Sequence, residues 1–288
     1  VMSLDMEHLG VVLAVPRDQV TGELLGFLRE RAEAAGVPVP RAEDDDWMDL
    51  PSVVEPVPPP AVPDWSAGRA EERGLLPVAA TDRTFRIEHQ RRECGCYPDP
   101  DVPPSRWGEY TTGTPWNGSL LHRFEARVAA HWTMPRCVTN GEFQEFLDAT
   151  GYEPDAQHRF LDHWGGDRCP EAILDEPVVY VDLADARAYA EWARMRLPTE
   201  LEWHHAAESL AEGFEYGRVW EWTESERDDG WNRYVLLRGG SEYQAQGSGW
   251  YFPGGEQPIE THAKFLLMWP GLDRCSTIGF RCVAPRRE

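Results

Sequence analysis

Two Thr-x-x-Glu boxes constrain this chain more than any other feature: Thr139-Asn140-Gly141-Glu142 and Thr199-Glu200-Leu201-Glu202. In such a box the threonine hydroxyl accepts from the backbone N–H three residues on, and the glutamate reaches back to the threonine N–H. Each box therefore fixes where a helix begins. After the first, Phe143, Phe146 and Leu147 form one apolar face and Gly151 ends the helix. A second helix begins near Asp182, turns Ala186, Tyr189, Ala190 and Ala193 inward, and ends near Arg196, because Pro198 blocks its continuation. The second box opens a short helix through Ala207. Strand-like segments flank these helices, with Leu76–Ile87 and Leu121–Trp132 before them. Arg218–Thr223, Tyr234–Arg238 and Gly279–Ala284 follow.

The N-terminal third reads differently. Residues 1–36 form a short helical segment, in which Leu24, Leu25, Phe27 and Leu28 recur at helical spacing and Gly36 caps the end. Residues 37–74 read as an acidic, Pro-rich linker: Asp44-Asp45-Asp46 is followed by Pro51–Pro63, which should be extended and coreless. A folded domain is expected over 75–288. The Pro/Gly/Trp-rich stretch Cys94–Gly118 reads as a long loop inside it.

The formal net charge of −22 argues against nucleic acid, whose phosphates are bound by clustered Lys and Arg, and against anionic membranes. No apolar run approaches the roughly 20 residues that span a bilayer, and the first residues lack a basic start. The expected location is cytoplasmic. Six cysteines in 288 residues do not make a disulfide scaffold.

The order of motifs resembles one known family. Val138-Thr139-Asn140-Gly141-Glu142-Phe143, Arg196-Leu197-Pro198-Thr199-Glu200-Leu201-Glu202-Trp203 and Val219-Trp220-Glu221-Trp222-Thr223 are similar to motifs of the formylglycine-generating-enzyme (sulfatase-modifying factor) superfamily. Leu237-Arg238-Gly239-Gly240-Ser241 and Ile278-Gly279-Phe280-Arg281-Cys282 are similar to its closing elements. The resemblance implies an α+β fold: a C-type-lectin-like domain with long irregular loops. The motifs themselves are mostly structural: Thr139 and Thr199 as caps, Trp203, Trp220 and Trp222 as core, and Arg196, Glu200, Glu221 and Arg281 as candidates for internal ion pairs.

The same resemblance implies three kinds of chemistry. Copper enzymes of the family hold Cu(I) through a cysteine pair between Arg-Gly-Gly-Ser and Gly-Phe-Arg, because Cu(I) favours soft thiolates. Here that stretch holds only Cys275. A calcium site of the family's kind is in doubt too, since Arg218 replaces an asparagine. Iron-dependent sulfoxide synthases of the ergothioneine and ovothiol kind join a helical, histidine-bearing module to the lectin-like domain. The helix–linker layout resembles theirs, but no His-x-x-x-His precedes residue 75, so a partner chain could supply the iron-binding module. A third kind binds a ligand or partner without catalysis.

Candidate metal ligands are His158 and His163, with Asp162 between them, and more weakly His8. A spacing of five does not stack two histidines on one helix face, though a loop could converge them. Of the adjacent His204 and His205, one is expected to face the interior. Cys94-Gly95-Cys96 could chelate a soft metal only with further thiolates. Ser241–Ser276 mixes aromatic and charged residues and suits a small amphipathic or zwitterionic substrate. Tyr243, Trp250, Tyr251, His262 and Arg274 are its candidate substrate-binding residues. The leading expectation is an O2-dependent, iron(II) oxidoreductase that oxidises, or forms a C–S bond on, a small amino-acid-derived substrate. A non-catalytic binding protein and a copper oxidase are the alternatives.

Overall fold

The computed structural model describes residues 55–90, 119–228, 233–243, 255–267, 271 and 273–286. The chain divides into two compact units, Val1–Pro51 and Ser52–Glu288, and every described residue belongs to the second. The N-terminal helical segment with His8, the Cys94–Gly118 stretch, and Trp250 and Tyr251 lie outside the described residues.

Both boxes form as the sequence dictates. Helix α2 (Asn140–Thr150) has Thr139 as N-cap with reciprocal bonds to Glu142, and Gly151 closes it at φ 63°. Helix α4 (Glu200–Leu210) is capped in the same way by Thr199 and Glu202, and runs one turn beyond the expected end. Helix α3 (Leu183–Trp192) carries a third box, Asp182 with Asp185. A short helix α1 (Ala67–Glu72) begins at Ser66, inside the stretch read as linker. Trp65 and Ala70 are buried in the main core, so the packed domain starts upstream of residue 75. The coreless reading concerned Pro51–Pro63; just after it, one tryptophan and one alanine of the stretch read as linker find apolar neighbours among residues far along the chain.

The strands are β1 (Glu55–Pro56), β2 (Leu76–Val78), β3 (Thr81–Gln90), β4 (Ser119–Val128), β5 (His131–Thr133), β6 (Trp220–Trp222), β7 (Glu226–Asp228), β8 (Arg233–Arg238), β9 (Gly240–Ser241), β10 (Gly255–Glu256), β11 (Thr261–Leu267), β12 (Ile278–Phe280) and β13 (Val283–Pro285). The main sheet runs β1-β7-β8-β11-β3-β4, with β6 joining β8 to β12. Strand β11 lies antiparallel to β8 and parallel to β3. A three-stranded sheet, β13-β5-β2, and the β9-β10 pair complete the described strands. The core packs Phe143, Phe146, Tyr189 and Phe280 between α2, α3 and β12, mostly edge to face, with Phe143 and Tyr189 stacked. No helix among the described residues is long and apolar enough to cross a membrane.

Candidate functional site

Register brings three ionisable residues from separate motifs into one row. Glu221 on β6 pairs with Arg238 on β8, which pairs with His262 on β11. Directly paired strand residues share a face, and α4 adds Glu200, Trp203 and His204 to that face. All six are buried. Glu200 Oε2 accepts from His262 Nδ1–H at 2.7 Å. Arg238 Nη2 donates to His204 Nδ1 at 2.6 Å and to the Ile259 carbonyl at 2.6 Å. Arginine can only donate, so His204 Nδ1 carries the lone pair and its Nε2–H donates to Glu208 at 3.0 Å. Burial, with the Arg238 charge adding to it, lowers His204 to about 4. Burial also pulls Arg238 down to about 10. Both adjacent histidines are therefore interior rather than one: His205 is buried too, donating from Nε2 to the Ala79 carbonyl and accepting from the Ser209 hydroxyl.

His262, expected to line a substrate pocket, sits inside this row at 1% exposure. Arg274, expected to bind substrate, is buried elsewhere and fully spent. Its Nε and Nη2 hold Asp185, Nη2 also meets Asp182 at 3.0 Å, and Nη1 donates to the carbonyls of Ala156 and His158. All five N–H groups thus have internal acceptors, and Arg274 has none to offer a ligand. Arg281 is saturated likewise by Glu221 and the carbonyls of Met134, Pro135 and Glu215. Among the described residues, Tyr243 is the expected substrate residue that reaches solvent, at 61% exposure. It follows Glu242, whose carboxylate lies 3.7 Å from Arg218 Nε, while Arg218 also pairs with Glu176.

Of the candidate metal ligands, the two that are described, His158 and His163, do not converge. His158 is exposed, and His163 bonds through Nε2 to Asn140 Oδ1 at 2.7 Å. The Asn140 amide nitrogen faces the carbonyls of Ile173 and Glu176, so its oxygen must accept and His163 must donate. Burial keeps His163 neutral, down to about 4, and its ring stacks on Tyr180. Among the described residues no three His, Cys, Asp or Glu side chains form a metal-holding group. Copper fits no better. Cys282 is fully buried, which pushes its thiol well above the usual range, and Cys275 lies 3.3 Å from the Thr277 hydroxyl. A thiol that resists ionisation is a poor Cu(I) ligand.

With this geometry in place, residues 108–217 match the sulfatase-modifying factor enzyme 1-like domain family. Over those residues the chain is similar to sulfatase-modifying-factor-type domains. A hercynine oxygenase of Mycobacterium tuberculosis is 40% identical over 90 residues, covering 24% of this chain and 21% of that protein. A formylglycine-generating enzyme of the same organism is 28% identical over 185 residues, covering 48% and 58%. That of Streptomyces coelicolor is 33% identical over 117 residues, covering 27% and 36%. The chain thus spans about a fifth of the hercynine oxygenase's length and from a third to three-fifths of these formylglycine-generating enzymes.

Glu200 forms the kind of internal ion pair its motif suggested, whereas Arg238 is a partner that sequence reasoning did not single out. Strand pairing between distant segments joins Arg238 to His262, and a side-chain hydrogen bond joins Glu200 to His262.

Proposed function

We propose that this domain is the substrate-binding part of an O2-dependent, non-haem-iron oxidoreductase of the sulfoxide-synthase type, built on a C-type-lectin-like fold. The observation that carries this reading is the 40% identity to a hercynine oxygenase, and the lone Cys275 where the copper branch needs a pair agrees with it. The iron would supply O2 activation. Its ligands would come from outside the described residues or from a partner chain carrying a helical metal-binding module. Within this domain the buried row holds α4 to the sheet, and Tyr243 offers an aromatic face to a small amino-acid-derived substrate. The acidic surface repels nucleic acid and anionic membranes.

The test is anaerobic loading of the full chain with Fe(II), followed by O2 uptake with hercynine and a small thiol, and mass analysis for a C–S product. Iron-dependent uptake with that product supports the reading. Uptake that is the same with and without iron, and no product, overturns it. A second reading, a non-catalytic ligand-binding protein, is favoured by the internal saturation of Arg274 and Arg281. It predicts ligand binding that chelators leave unchanged.

A further inference from the structure

Strand β4 ends one side of the main sheet, and its strand neighbour among the described residues is β3. The two run antiparallel in unbroken register, each 10 residues long. An edge of this length presents a row of N–H and C=O groups with no ladder to join, and charged side chains commonly guard such an edge. On β4 the charges fall on one face. Arg123, Glu125 and Arg127 are exposed, whereas Phe124 and Ala126 are half-buried and Val128 is buried. Phe124 lies on the face that α4 covers: its ring stacks on Phe85 at 6.5 Å, and Phe85 meets His204 of α4 edge-on at 5.4 Å. On the open face, register sets Arg127 opposite Asp82 and Glu125 opposite Thr84, but Arg123 opposite Arg86, which is exposed as well. Like charges directly opposite one another are destabilising. A carboxylate that relieves Arg123 has room to come from its other side, across the edge.

We infer that β4 is a homodimer interface, on which a second copy of this chain lays its own β4 antiparallel, centred on Phe124. A twofold axis perpendicular to the sheet makes the contact self-complementary and keeps each face of the strand on its own side. Phe124 then lies opposite Phe124 of the second copy and extends the aromatic row begun by Phe85. Arg123 lies opposite the second copy's Glu125, and the same pair recurs across the axis. The open face thereby reads Arg86, Arg123, Glu125, Thr84 across the joined sheets, so each arginine pair gains a carboxylate. Charge decides the register. Centring on Arg123 sets that residue against itself, and centring on Glu125 sets Glu125 against itself and Arg123 against Arg127. Centring on Ala126 gives Glu125 to Arg127, which already faces Asp82, and leaves Arg123 against Arg86 alone. The net charge of −22 opposes association at long range. The contact is also narrow, so the affinity should be roughly micromolar, as for transient interfaces. The inference is independent of the iron-dependent reading above and needs no turnover to test.

The experiment is sedimentation velocity of the full chain over a concentration series at physiological salt. A reversible monomer–dimer equilibrium is expected. Arg123→Glu and Glu125→Arg each create two like-charge contacts across the axis, and each should weaken the dimer by about tenfold or more. The two changes combined swap the charges and should restore it, while Arg127→Gln should leave it unchanged. Melting temperature reports folding separately, and Arg123→Glu should not lower it, because it removes the opposition to Arg86. If Glu125→Arg fails to fold, Arg123→Glu and amide exchange decide the matter: protection that rises with protein concentration should be confined to peptides spanning 119–128. A chain that stays monomeric throughout overturns the interface. So does a dimer that ignores both charge reversals, that the combined swap fails to restore, or whose concentration-dependent protection falls elsewhere.

Discussion

The Arg274 guanidinium meets the Asp185 carboxylate side-on, Nε to Oδ2 at 2.8 Å and Nη2 to Oδ1 at 3.0 Å, with both residues at 1% exposure or less. The pair ties the first turn of α3 to the segment before β12, and through the Ala156 and His158 carbonyls it also pins the loop between α2 and α3. Removing one partner strands a buried charge, which costs about 3–5 kcal/mol. Arg274→Ala should therefore lose that much stability in urea denaturation, while Arg218→Ala, in a half-exposed ion pair, should change it by under about 1 kcal/mol.

Acid should destabilise the domain well before its carboxylates are all protonated. His163 and His204 are held neutral, each near 4, against about 6.5 in the unfolded chain. Their contribution is complete above about pH 6.5 and declines as pH falls toward 4, because only the unfolded state takes up the protons. Asp185 acts in the opposite sense. Burial raises it to about 6 despite Arg274, so its ionised form costs stability above that pH and the cost is relieved on acidification. Two imidazoles outweigh one carboxyl, and melting temperature should fall steadily from pH 7 to pH 4.5. His163→Gln should flatten that slope, and an unchanged slope would show that His163 does not contribute.

The caps can be tested one at a time. Thr139→Ala and Thr199→Ala each remove a hydroxyl that accepts the N3 backbone N–H, at 3.2 Å in both helices. Each should cost about 1 kcal/mol in chemical denaturation. Thr199→Ser should restore most of the loss.

Gly240→Ala should be far more damaging than its size suggests. A β-carbon there would lie 2.4 Å from the Gly255 carbonyl oxygen and 2.8 Å from the Gln257 backbone nitrogen, at a φ of +94°. The β9-β10 pairing has to break to admit it, and amide exchange at Gly255 and Glu256 should rise sharply.

Thiol chemistry should sort the cysteines by burial. Cys137 and Cys282 are enclosed, with burial pushing both thiols up, whereas Cys169 and Cys275 are partly exposed. Alkylation of the native protein at pH 8 should label the second pair and spare the first until denaturant is added. Early labelling of Cys282 would reopen the copper reading.

The capping boxes of α2 and α4 could be read from the sequence because they depend on residues three apart. So could the inward positions of α3, which repeat at helical spacing. The role of Arg274 could not be read. Its acceptors lie at Asp182, Asp185 and two backbone carbonyls more than a hundred residues away, and a carbonyl has no signature in a sequence. His158 and His163, with Asp162 between them, suggested metal ligands only if a loop brought them together. The structure turns one to solvent and locks the other on Asn140, a residue that looked like an ordinary member of its motif. Trp65 was hidden by the prolines before it.

Strand β11 lies between β8 and β3, yet it is made after both. As the polypeptide leaves the ribosome, the β3-β4 pair and the later β8 emerge with facing edges that have nothing to bond to until residues 261–267 arrive to fill the gap. Closure of the main sheet is therefore a late event in biosynthesis, and a nascent chain halted before residue 261 should need a chaperone to stay in solution.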